Sequence, residues 1–199
     1  MKAMTLLAVA QQLAGIQIDP DALTFPRDLT CREIWGAESA AGGKPLYDGP
    51  YDPHRALVVT RTYLGFDATV IYLCNSERLD WRITTVALNS LDNVRQLVTQ
   101  HRQRMNEQFG APCWHPSQLS EQQRALLPDG VPMAHLLGRR VVWNIGPGLV
   151  SGITMPDAPV DGGSWRVVID AGLPSEQVSQ ADAVGQAWKL SSCAKAGVQ

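Results

Sequence analysis

The chain has 199 residues, of which 45% are hydrophobic and 18% charged, enough apolar material for a large core without help from metal or disulfide, and too much for a disordered chain. Lys and Arg number 17 against 19 Asp and Glu, a net charge of −2, which excludes a bulk positive field that would gather nucleic acid or anionic lipid. No run approaches the roughly 20 apolar residues that cross a bilayer as a helix.

In chain order, Met1-Lys2 leads a short apolar run ending Ala8-Val9-Ala10, the small-x-small pattern of a cleavage site. Residues 1–14 therefore read either as an export signal or as an N-terminal helix with Leu6, Leu7, Ala10, Leu13 and Ala14 on one stripe. Residues 15–55 are dense in turn-forming pairs such as Gly42-Gly43, Lys44-Pro45, Gly49-Pro50 and Asp52-Pro53, and read as an irregular arm. Within it, Thr30 and Glu33 stand at capping-box spacing and predict a short helical turn over 29–35.

From residue 56 to 199 the texture is that of an α+β domain. Runs rich in β-branched and aromatic residues predict strands at 56–63, 68–74 and 79–88, and their short connections favour an antiparallel meander. A long helix follows over 90–109, with Ser90 as cap, Asp92 in the first turn, an apolar stripe from Leu91 to Phe109, and Gly110 as its stop. This first part, 56–116, thus reads strand-strand-strand-helix. The second, 117–199, offers a short helix, three strands at 139–145, 148–155 and 164–171, and a C-terminal helix over 175–193. The fold class expected is mostly antiparallel sheet in two meander-like regions, with the long central helix and the C-terminal helix packed on it.

Four cysteines, none in a C-x-x-C pair, argue against a zinc ribbon or a thioredoxin-type motif and leave either two disulfides or four buried thiols. A helix of 20 residues covers about 30 Å, and the ten-residue strand before it about 33 Å. If the helix runs back along that strand, Cys113 returns beside Cys74, so the expected pairs are Cys74 with Cys113 and Cys31 with Cys193.

The motifs of zinc hydrolases, P-loop proteins and Rossmann dinucleotide sites are all missing, and no metal or cofactor is expected. Cys113-Trp114-His115 has the makings of a Cys-His nucleophile, but a position past a helix C-terminus raises a thiol pKa and a disulfide would consume the sulfur. Arg61, Arg82, Arg95, Arg102, Arg104, Arg139 and Arg140 lack the aromatic interleaving of a nucleic-acid platform and read as a solvated face. Trp81, Trp143 and Trp165 fall in strands and belong to the core. Trp35 and Trp114 fall in loops, and with Tyr47, Tyr51, His54 and His115 they make the candidate recognition residues; fastening the arm to the domain is the alternative role of the two tyrosines.

These features predict a non-catalytic protein-binding module of inhibitor, immunity or assembly type, exported to the bacterial envelope (periplasmic) or secreted, with another protein as partner. The alternatives are an enzyme built on dispersed histidines and carboxylates, with His54 and His115 as acid-base groups, and a cytoplasmic scaffold with reduced thiols.

Overall fold

A computed structural model describes residues 29–52, 54–75, 78–113, 140–146, 149–155, 159, 163–172 and 193. Its elements are α1 (Cys31–Ala40), β1 (Lys44–Tyr51), β2 (His54–Tyr63), β3 (Phe66–Asn75), β4 (Arg78–Leu88), α2 (Leu91–Phe109), β5 (Arg140–Gly146), β6 (Leu149–Thr154) and β7 (Trp165–Gly172). The strands join one seven-stranded sheet in the order β1-β2-β3-β4-β7-β6-β5. By compactness the chain divides into two units, Met1–Thr84 and Thr85–Gln199.

In the first unit, α1 starts where the sequence places a cap. The Thr30 hydroxyl accepts from the Glu33 N–H at 3.2 Å, and the Glu33 carboxylate accepts from the Thr30 N–H at 2.8 Å, closing the capping box. The helix continues to Ala40, beyond the single turn expected, because Ile34 and Ala37 are both buried and hold its second half. Strands β1, β2 and β3 run antiparallel, with Asp48 opposite Leu57, and Leu57 opposite Tyr72. The β2–β3 turn is two residues, Leu64 and Gly65, both at positive φ (51° and 85°), the backbone of a tight hairpin turn whose twist matches its strands.

In the second unit, Ser90 caps α2 by accepting from the Asn93 N–H at 3.1 Å, Asp92 complements the helix dipole, and Gly110 ends the helix at φ 78°. The buried stripe is Val94, Leu97, Val98, His101 and Met105. It packs on β5 and β7. The fully buried Trp143 of β5 donates its indole N–H to Asn106 at 2.9 Å and meets the His101 ring edge-on at 5.7 Å.

Two expectations are corrected. The expected α+β layout, an antiparallel sheet of two meander-like regions with a long central helix and a C-terminal helix packed on it, gives way to a fold dominated by a seven-stranded antiparallel sheet, with two described helices, α1 and α2. Of the expected C-terminal helix only Cys193 lies among the described residues, as none of 173–192 does. The cysteine pairs are Cys31–Cys74, with Cα atoms 6.2 Å apart, and Cys113–Cys193, at 5.1 Å; Cys74 with Cys113 and Cys31 with Cys193 are not the pairs. The reason is α2 itself: its apolar stripe finds its partner in the strands that come later in the chain, so Cys113 closes within the second unit. The arm at 15–55 also carries more order than its turn-rich sequence suggests, since its described part holds both α1 and β1.

Candidate functional site

A concavity of about 1130 Å³ in the first unit forms around the N-terminal turn of α1. Thr30, Cys31, Arg32 and Trp35 line it from the helix, Asp48 to Pro50 from β1, and His54, Arg55 and Leu57 from β2, with Cys74 completing the wall. The Cys31–Cys74 bridge thus both ties the start of α1 to the end of β3 and forms part of the groove surface.

Strand register divides the side chains of β1 and β2 between two faces. Asp48 and Pro50 stand opposite Leu57 and Arg55 on one face of the sheet, while Tyr47, Gly49 and Tyr51 stand opposite Val58, Ala56 and His54 on the other. Of the six candidate residues, Trp35 lines the groove from α1 and His54 lines it from the first position of β2. Tyr47 and Tyr51, 44% and 60% exposed, belong to the adjoining β1 surface, and Trp114 and His115 lie outside the described residues. Tyr47 is held in place by its hydroxyl, which donates to the Pro50 carbonyl at 2.7 Å, and its ring covers Gly49, where an added Cβ would lie 2.7 Å from the Tyr47 oxygen.

Two side chains of the groove, Arg55 and His54, stand beside carboxylates. Arg55 pairs with Asp48 at 2.8 Å, and His54 Nε2 lies 3.5 Å from Asp80. Both pairs are partly exposed, so they orient side chains more than they stabilise the fold. Glu33, holding the Thr30 N–H and hydroxyl, has its carboxyl kept below the ordinary range by those two hydrogen bonds.

At its other end α1 buries a carboxylate. Glu38 is 1% exposed, and its Oε1 accepts from Arg61 Nη1 at 2.5 Å and from the Tyr72 hydroxyl. Burial, reinforced by the Glu38 charge, pushes the Tyr72 phenol well above its ordinary range. Burial lowers the neighbouring Arg82 guanidinium, against the opposing pull of Tyr72. Gly43 is required here, because a Cβ at that position would lie 2.8 Å from Glu38 Oε2. The second unit repeats the device: Arg140 pairs with the buried Asp170, and Gly152 leaves the space the guanidinium occupies, 2.5 Å from where its Cβ would stand.

Arg61 and Arg140 are therefore inward-facing, contrary to the expected solvated arginine face, with side chains 8% and 19% exposed. The signal for Arg61 is its place in the alternation Leu57, Val59, Arg61, Tyr63, whose other members are all buried. For Glu38 no local pattern marks the role, because its partners Arg61 and Tyr72 lie 23 and 34 residues away. No protein-family model, curated protein or solved structure matches this chain.

Proposed function

We propose that this chain is a non-catalytic protein-binding module that works outside the cytoplasm, and that it meets its partner through the exposed side chains of β1 and the groove beside them. The observation that carries the reading is β1 itself: every residue but Gly49 is exposed, and Leu46, Tyr47 and Tyr51 are 62%, 44% and 60% exposed. Large apolar and tyrosine side chains held on a rigid strand give contact area at little further entropy cost.

The contact is made by side chains and not by strand addition. Although β1 ends the order of described strands, it carries Lys44, Pro45, Pro50 and a register shift at Leu46, the devices that prevent an edge from pairing with another strand. The two disulfides support a location where thiols are oxidised.

Site-specific photo-crosslinking in the native host tests the reading. A benzophenone side chain replacing Leu46 or Tyr51 is expected to give a discrete heavier adduct that the same probe at Asp67, an exposed position of β3, does not give. Adducts at none of these positions, or the same adducts at Asp67, would count against it.

A further inference from the structure

The groove holds one covalent bond that chemistry can open, and its two sulfurs are unequally placed. Cys74 is 2% exposed, whereas Cys31 is half-buried and occupies the first position of α1, directly after the cap Thr30. Arg32, Arg55, His54 and Trp35 line the same concavity, whose volume of about 1130 Å³ has room for a peptide segment. We propose that Cys31–Cys74 is a thiol–disulfide exchange site whose reacting sulfur is Cys31 and whose co-reactant is a cysteine thiolate of a partner chain entering the groove.

In the forward step the incoming thiolate attacks Cys31 Sγ, the Cys31–Cys74 bond breaks, and Cys74 leaves as a thiolate that takes up a proton. A second thiol of the same partner then attacks the partner's own sulfur in the mixed disulfide, and Cys31 leaves as a thiolate that takes up a proton. The partner dithiol ends as a disulfide, having lost two electrons, and Cys31 and Cys74 end as a dithiol, having gained them. The helix N-terminus and the adjacent Arg32 favour negative charge on Cys31, while Arg55 is paired with Asp48 and the Glu33 carboxylate is the opposing charge on the same turn.

Among the described residues the other bridge has a different setting. Cys113 follows the C-terminal end of α2, where the helix dipole disfavours a thiolate, and its sulfur faces the Val142 carbonyl oxygen at 3.4 Å. One disulfide is placed to react and the other to persist. The inference goes beyond the binding reading and does not rest on it, since glutathione can serve as the probe without any partner.

The oxidised full chain is incubated with reduced glutathione, quenched at intervals, alkylated and mapped by mass spectrometry while circular dichroism confirms that it stays folded. The Cys31–Cys74 bridge is expected to open at least about tenfold faster than Cys113–Cys193. In Cys74→Ala, oxidised glutathione is expected to cap Cys31 faster than it caps the same thiol in urea. Opening of the two bridges within tenfold of each other, or Cys113–Cys193 opening first, would overturn the proposal. If the variant does not fold, the rates in the unaltered chain decide.

Discussion

Glu38 and Arg61 exemplify residues whose cost becomes visible only when one partner is removed. A carboxylate that is 1% exposed is tolerated because Arg61 and Tyr72 both donate to it. Glu38→Gln keeps the shape and leaves Arg61 with a buried, uncompensated charge, so it is expected to lower the unfolding free energy by about 3–5 kcal/mol in urea titrations. A loss below about 1 kcal/mol would mean that the pair is solvated and not buried. Tyr72 adds a pH dependence of definite sign. Its phenol is held above its unfolded value, so the folded state binds more protons than the unfolded state once pH exceeds about 10. The stabilisation is complete below that pH and is lost as pH rises through the folded value. Stability measured between pH 9 and 11 should therefore fall less steeply in Tyr72→Phe than in the unaltered chain, and equal slopes would remove Tyr72 as the cause.

Elements that depend on neighbouring residues were legible in the sequence. The Thr30–Glu33 capping box, the Ser90 cap and the Gly110 stop each act within one helical turn, so the starts of α1 and α2 could be read directly. The alternating apolar runs likewise placed β2 to β7. Strand β1 was hidden because Pro45, Gly49 and Pro50 read as turns, yet at the end of a sheet a proline has no ladder bond to lose. The partner of α2 was hidden for a different reason: an apolar stripe does not say which sheet strands it covers. Asn106 and His101 make the choice only once Trp143, 37 residues beyond Asn106, is beside them. At this scale Leu64 offers a gain. It sits at φ 51°, where a branched side chain crowds the backbone, followed by Gly65 at 85°. Leu64→Asn creates the Asn-Gly pair this turn prefers and is expected to raise stability by roughly 0.5–1 kcal/mol. An unchanged or lowered urea midpoint would show that contacts of the Leu64 side chain outweigh the backbone term.

For the molecule as a whole, each compact unit is closed by its own disulfide, across 43 residues in the first and 80 in the second. Loops of those lengths restrict the unfolded chain enough to stabilise by about 4 kcal/mol each in the chain-entropy account. The candidate site inherits this arrangement, because the first bridge fixes the start of α1 against β3 and so gives the groove its wall. The wall of the groove thus depends on which cysteines are joined. The decisive measurement is disulfide mapping by non-reducing digestion and mass spectrometry of chain isolated, with thiols blocked at lysis, from its native compartment. The expected result is one linked peptide pair joining Cys31 to Cys74 and a second joining Cys113 to Cys193. A Cys74–Cys113 link, or four blocked free thiols, would contradict it.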